Sequence, residues 1–396
     1  MKLCTKAVTN DVDANRESRT VLLTLGRLPV ALELARALYA GGWRVLVADP
    51  YAWPMCRLSN TVSRSFKVTA PAIDQHRYLQ QLQQIINDEQ VSLVIPVSEE
   101  TLYVSALKHR VSDEVNVLCM DQVTLLQLHD KYNFPAFARN LELPVPDTAL
   151  ASAVTANDEL LSRPFVVKPR LSCSGAGVCF GLAGQELERS QRNDQHIVQQ
   201  RLPGDLLCSF SIAVAGQTLV SVCYRSLLDA GSVAVCFEHL PVPEGIARFI
   251  DTVVRKTSYT GMIAFDFMQN EAGQWCAIEC NPRSTSGLHF IEPATLLSSL
   301  VDGRAPVQQP ASVSVRQQEF WSCLAQLQGA LLKGRINRSG WKNLFRSKDI
   351  TLRYSDMKPF VFMSFTMAPQ LFRSLRSGVS LSEILMSDVG WHGRKP

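Results

Sequence analysis

Phe265-Asp266-Phe267, followed after a polar turn by Ile278-Glu279-Cys280-Asn281-Pro282-Arg283, is the stretch on which the reading of this chain turns. Both halves alternate apolar and polar side chains with the two-residue period of a strand, and the polar residues between them make a hairpin. With the turn centred near Glu271 and Ala272, Asp266 is expected opposite Ala277. Asp266, Glu279 and Asn281 then share one face, and Phe265, Phe267, Cys276, Ile278 and Cys280 share the other. Two carboxylates and an amide on one face offer the hard oxygen ligands that Mg²⁺ or Mn²⁺ takes. Arg283, just past the second strand, is placed to meet phosphate or carboxylate oxygens that such an ion leaves exposed. An ordinary half-buried hairpin with a solvated acidic face shows the same alternation, so the hairpin alone does not decide between the two.

Two upstream segments bear on that choice. Arg163-Pro164-Phe165-Val166-Val167-Lys168-Pro169 is a short apolar strand ending in a lysine, followed by Ser172-Cys173-Ser174-Gly175-Ala176-Gly177-Val178. Small residues leave backbone N–H groups free for phosphate oxygens, and Lys168 adds a point charge. The lysine precedes the glycines and no Gly-Lys-Ser/Thr follows, so this is not a Walker A loop. A plain β-turn between two strands would need no more than these residues. Asp130-Lys131 opens a helical segment from Tyr132 to Leu141 that ends at Pro144; a single exposed lysine there commonly does no more than solubilise.

Taken in order, these elements are a first lysine after a nucleotide-binding-like domain, a strand lysine with a glycine loop, Gln199-Gln200-Arg201-Leu202-Pro203-Gly204-Asp205, and the acidic hairpin. That order resembles the ATP-grasp superfamily over about residues 20 to 300. The run Ile278 to Arg283 is similar to the branch containing carbamoyl-phosphate synthetase large subunits and biotin carboxylase. The resemblance implies an α/β and α+β chain with an ATP-grasp fold, a Rossmann-like N-terminal domain, a two-subdomain nucleotide cleft and a C-terminal extension. Residues 1–19 are expected as a disordered tail, 20–125 as the first domain and 126–301 as the ATP-grasp domain. Within the latter the lid covers about 126–200 and the metal-site sheet about 201–301. Residues 302–396 are expected as a linker and C-terminal domain.

Site roles follow from the same resemblance. Lys131 and Lys168 match the lysines that contact ATP phosphates, and Ser174, Gly175 and Gly177 fall in the loop that closes over them. Gln199, Gln200, Arg201 and Leu202 match the hinge that reads adenine, though the hinge is often acidic where this chain has two glutamines. Asp205 is the only nearby acid for the ribose. Asp266, Glu279 and Asn281 match the metal ligands, and Arg283 the arginine that holds a carboxylate or its acyl phosphate. The implied activity uses ATP and Mg²⁺ to activate a small carboxylate as acyl phosphate and couples it to an amine, with amino acids among the candidates. A carboxylate-thiol or carbamoyl-phosphate-type ligase would use the same site, and a catalytically silent ATP-binding module is the alternative of another class.

Bulk properties agree with a globular chain of two or three domains. Its 396 residues are 46% hydrophobic and 19% charged, with a net charge of +4 that argues for no nucleic-acid partner. Eleven cysteines without CxxC spacing read as reduced core thiols of a cytoplasmic protein, and the seven histidines do not cluster near a cysteine pair. No apolar run is long enough to span a bilayer; the longest near the C-terminus is Pro359 to Leu371. Residues 310 to 396 are compatible with a homodimer contact.

The first domain alternates strand and helix: Val21 to Gly26, Arg44 to Ala48, Ser65 to Val68, Leu93 to Pro96 and Val115 to Leu118 read as strands, with a helix from Pro29 to Tyr39 stopped by Gly41-Gly42. Gly26 and Asp49 hint at a dinucleotide site, but the Gly-x-Gly-x-x-Gly fingerprint is missing. Glu99 and Glu100 at the carboxyl edge are candidates for a substrate ammonium, although acids at a helix start have a simpler dipole explanation. Ser286, in the small-residue turn Ser284 to Gly287, is a further substrate candidate. A helix is expected from Gln317 to Lys333, and Trp391 is expected to pack the C-terminal segment back onto the body.

Overall fold

Thr20–Leu23 (β1) is buried at every position and apolar from Val21 on, because both of its faces are covered, as in a parallel sheet. The computed structural model describes residues 19–391 except 157, 173, 174, 176, 232, 306–314, 333 and 380. In it β1, Arg44–Asp49 (β2), Arg64–Lys67 (β3), Leu93–Ile95 (β4) and Asn116–Val117 (β5) form a five-stranded sheet in the order β3-β2-β1-β4-β5, every pairing parallel. Val21 and Leu23 point to a core shared with the Pro29–Ala40 helix; Leu22 points to a second core shared with Gln75–Asp88. The second helix starts cleanly because Asp74 accepts from the Arg77 backbone N–H at 2.9 Å. The five expected strands and first helix are therefore present within a residue or two at most ends.

The small subdomain is a four-stranded antiparallel sheet of Thr148–Leu150 (β6), Phe165–Pro169 (β7), Cys179–Gly181 (β8) and His196–Gln200 (β9), ordered β6-β9-β7-β8 around a modest core of Phe165, Val167 and Val198. The large sheet takes Leu207–Val214 (β10), Gln217–Ala230 (β11), Val233–Leu240 (β12), Gly261–Gln269 (β13), Trp275–Asn281 (β14), Arg316–Gln318 (β15) and Lys348–Asp349 (β16), ordered β14-β13-β10-β11-β12-β15-β16. The Glu244–Thr257 helix lays Ile246, Phe249, Ile250, Val253 and Val254 against Phe265 and Phe267 of β13. Phe249 meets both rings edge-on, with centroids 5.6 and 5.3 Å away.

The C-terminal residues differ from the expected linker and separate domain. β15 and β16 lengthen the large sheet, so the helix predicted to begin at Gln317 runs instead over Phe320–Leu332, with Gln317 and Gln318 in strand β15. Beyond them the Lys358–Ser377 and Leu381–Met386 helices return to the first domain, where Met363 and Val389 join its core. Trp391 does pack back: its ring lies 4.8 Å from Tyr103, whose hydroxyl donates to the Gly390 carbonyl at 3.0 Å. Most of the expected linker (306–314) and of the expected tail (1–18) lies outside the described residues.

Candidate active site

The hairpin is closed by Asn270, whose N–H donates to the Gln274 carbonyl and whose side-chain oxygen accepts from the Ala272 and Gln274 N–H groups. Gly273, at φ +75°, takes the left-handed position that the turn requires. From there Gln269 pairs with Trp275, Met268 with Cys276 and Phe267 with Ala277; then the register shifts at a bulge, and Asp266 pairs with Glu279, Phe265 with Cys280 and Ala264 with Asn281. The expectation that Asp266 faces Ala277 is thus corrected. The strands meet one residue out of the predicted register, and the bulge adds a second residue at Ile278. Two single-residue slips restore the alternation, so Asp266, Glu279 and Asn281 still share a face. On the apolar face, Ala277 takes the place predicted for Cys276 and Ile278, beside Phe265, Phe267 and Cys280.

Three elements bring charge to this face. Lys168, near the end of β7 and almost wholly buried, has its ammonium 3.4 Å from the Ile278 carbonyl that the bulge exposes. Lys131, just after the Gln122–His129 helix, lies 3.5 Å from a Glu279 carboxylate oxygen and donates at 2.5 Å to the Ser172 carbonyl at the start of the glycine loop. Arg283 donates to the Asn281 side-chain oxygen at 3.3 Å, to the Ser284 carbonyl at 3.0 Å and to Glu99 at 2.5 Å. Asn281 in turn donates to Asp266 at 3.4 Å.

The electrostatics of the cleft are strained. Burial lowers the Lys168 pKa to about 8, with Glu279 only partly restoring it. Burial and then the Glu279 charge push the Asp266 carboxyl up to about 6. For Glu279 burial again acts upward, but Lys131 and Lys168 outweigh it and hold the group below its usual range. Glu99 is likewise kept low, because Arg283 and His129 overcome the cost of burial.

No group of three or more His, Cys, Asp or Glu that could hold a metal occurs among the described residues. The donor set here is instead two carboxylates and an amide oxygen. It suits a hard dication that keeps several waters, and a dication would relieve the repulsion between Asp266 and Glu279.

The remaining expected residues divide. Gly175 and Gly177 are exposed, at φ +65° and +72°, between β7 and β8; a Cβ on Gly177 would lie 2.9 Å from Pro169 Cγ. Ser174 lies outside the described residues. Gln199, at the end of β9, is buried and donates to Thr148 Oγ1 at 3.1 Å and, at 3.5 Å, to the same Ile278 carbonyl. Gln200 and Arg201 spend their backbone N–H groups on Asp147 and Pro164, Leu202 is buried and Asp205 is exposed. Ser286 is half-buried at the start of the Ser286–Phe290 turn.

Glu99, predicted to bind a substrate ammonium, pairs instead with Arg283 and so ties the first domain to the cleft. Glu100 is corrected to a purely internal role. It has no exposed surface, and its carboxylate accepts from Thr24 Oγ1 at 2.9 Å and from the Val97 and Ser98 N–H groups at 2.6 and 3.0 Å.

Several roles escaped the sequence analysis. Asp130 grips Arg170 with both oxygens, at 2.6 and 3.1 Å, and so seats the neighbouring Lys131 against the loop. His129 lies 3.9 Å from Glu99, and Cys208 pairs with Asp266 across β10 and β13. The polar run His129-Asp130-Lys131 at the end of the Gln122–His129 helix, and Arg170 just past the strand that carries Lys168, were the available signals. A cavity of about 690 Å³ lies at the opposite, amino ends of the first-sheet strands, lined by Arg19, Trp43, Arg44, Glu89 and Asn116, away from these charges.

A family model described as an ATP-grasp domain matches residues 128–287. No curated protein sequence matches the chain. Among solved structures, N5-carboxyaminoimidazole synthetase from Staphylococcus aureus is similar, with TM-score 0.58 and 14% identity over 75% of this chain and 80% of that one. Biotin carboxylase from Campylobacter jejuni gives 0.59 and 14% over 73% and 72%, and L-amino acid ligase from Bacillus licheniformis gives 0.55 and 16% over 73% and 77%. At these identities the structures share the fold. Every converging group except Glu99 lies within the matched span, and residues 128–287 belong to the ATP-grasp family.

Proposed function

We propose that this protein is an ATP-dependent ligase that activates a small carboxylate as acyl phosphate and couples it to an amine, releasing ADP and phosphate. One observation carries this reading: Lys131 and Lys168, from separate elements, converge on the acidic face of the β13–β14 hairpin with Arg283 beside it. Similar structures include an amino acid ligase and an ADP-bound N5-carboxyaminoimidazole synthetase, which support a carboxylate and a nucleotide as substrates. Nine free cysteines among the described residues fit a reducing compartment, the cytoplasm.

Asp266, Glu279 and Asn281 would hold Mg²⁺ or Mn²⁺, which when bound neutralises phosphate oxygens and draws electrons from the transferring phosphoryl group. Lys131 and Lys168 place positive charge against the triphosphate, and the loop carrying Gly175 and Gly177 excludes water above it. Gln199 to Leu202 border the adenine position, with Asp205 the acid nearest the ribose. Arg283 orients the carboxylate, sharing a fork that Glu99 and Asn281 hold in place. Glu99 therefore acts as a positioning residue. The amine attacks the acyl carbon, phosphate leaves, and no protein nucleophile is required.

The test is ADP and phosphate release on mixing the protein with ATP, Mg²⁺ and a panel of carboxylates and amines, followed by mass measurement of the product. Carboxylate- and amine-dependent release with a condensed product is expected. Nucleotide binding without release across the panel would favour a silent module, and a thioester product would favour the thiol-ligase alternative.

A further inference from the structure

The Lys358–Ser377 helix buries Pro359, Met363, Thr366 and Gln370, a single stripe at helical spacing, against the Met55–Leu58 turn, the Leu381–Met386 helix and the first-domain core. Its outward stripe, at spacing of three and four through Val361, Phe362, Phe365 and Phe372, should by the same logic be polar. It is apolar and open to solvent, with Phe365 78% and Phe372 66% exposed. Lys358 and Arg376 close the stripe at its two ends and Arg373 flanks it. At about 1.5 Å per residue the face is roughly 30 Å long. Four large apolar side chains in one row go well beyond scattered surface hydrophobics.

Charge decides what covers this face. The helix carries Lys358, Arg373 and Arg376 and no acid at all. A second copy laid antiparallel would bring Arg373 and Arg376 of one chain onto Lys358 of the other with no carboxylate between them. A layer of anionic headgroups pairs with all three cations, and the acyl boundary beneath takes the phenylalanines. Among the described residues no helix is long and apolar enough to cross a membrane, so the contact lies in the plane of the surface. We propose that the Lys358–Ser377 helix docks this protein onto anionic phospholipid surfaces such as a cytoplasmic leaflet.

Flotation of the full chain with vesicles tests this. The protein is expected to float with phosphatidylcholine vesicles containing phosphatidylserine and not with phosphatidylcholine alone, and salt should weaken the binding. Phe365→Ser with Phe372→Ser, at exposed positions that leave the melting temperature in place, should weaken partitioning by about tenfold or more. Arg373→Glu with Arg376→Glu should abolish the preference for phosphatidylserine. Absence of flotation on anionic vesicles, equal flotation on neutral ones, or wild-type binding by the phenylalanine variant each overturns the proposal. A dimer in solution that Phe365→Ser dissociates, without vesicle binding, would assign the face to a second copy instead.

Discussion

At the carboxyl edge of the first sheet, Arg27 lies between Asp49 at 2.8 Å and Asp388 at 2.7 Å, with no exposed surface on the arginine or Asp49. At the cleft, Asp266 faces Glu279 across the hairpin while Lys131 and Lys168 close in from other elements. Both regions bury several charges. In the first the arginine is settled internally: burial acts to lower the Arg27 pKa, but Asp49 and Asp388 overcome it and keep the guanidinium firmly charged, while burial raises the Asp388 carboxyl and Arg27 only partly offsets it. Asp49 also accepts from the Gly26 and Tyr51 N–H groups, so the place where doubly wound sheets bind ligands is sealed by the protein's own C-terminal segment. In the cleft a cation is pushed down and a carboxyl pushed up, an imbalance that a phosphate and a metal would correct. The two regions differ in the cation: Arg27 is held charged by two carboxylates, whereas burial leaves Lys168 easier to deprotonate than a free lysine.

Breaking the sealed region should cost the most. Arg27→Met leaves Asp49 and Asp388 without their counter-ion and is expected to destabilise the fold by about 3–5 kcal/mol, read by denaturant unfolding, while turnover per folded molecule is unchanged. In the cleft the pattern should reverse. Glu279→Gln is expected to lower ATP turnover about a hundredfold at saturating Mg²⁺ without lowering the melting temperature; wild-type rates would remove Glu279 from the site. Arg283→Lys keeps the charge and loses the fork, so product formation should fall about tenfold while calorimetric ATP affinity stays near that of the wild type. Collapse of ATP affinity would move Arg283 to the nucleotide.

The smallest effect is on pH. Lys168 has its folded pKa depressed from 10.5 to about 8, so its stabilising contribution is present above the unfolded value and is lost as pH falls through about 8. Asp266 is raised from 3.8 to about 6, so its contribution is present below the unfolded value and is lost as pH rises through about 6. Near neutral pH both are in their costly form. Metal-free Asp266→Asn should therefore melt slightly higher than wild type at neutral pH, with the gain vanishing below about pH 4. A flat difference across that range would mean the cleft carries no such cost.

The local periodicities carried much of this to the sequence. The inner parallel strands of the first domain are legible because burial on both faces leaves unbroken apolar runs such as Val21–Leu23. The acidic face of the hairpin was legible even though its register was not, since a two-residue period survives two compensating single-residue slips. What the sequence hid is long-range. Nothing near Glu99 announces Arg283, 184 residues away, and Gln317-Gln318 looks helical until β12 offers an edge for it to pair with. Glu100 was misassigned because an acid that closes its own turn and an acid that awaits an ammonium look alike without their partners.

The return of the Lys358–Ser377 and Leu381–Met386 helices to the first domain also fixes the order in which its buried charges can meet during synthesis. Arg27 is made 361 positions ahead of its partner Asp388. At translation rates of about 5–20 residues per second that interval is roughly 20 to 70 s. Throughout it, the N-terminal domain must hold a buried guanidinium with only half of its counter-charge, and the core facing Val389 and Trp391 stands open. The sheet made first is therefore completed only after the large sheet has been made, when the segment bearing Asp388 has emerged.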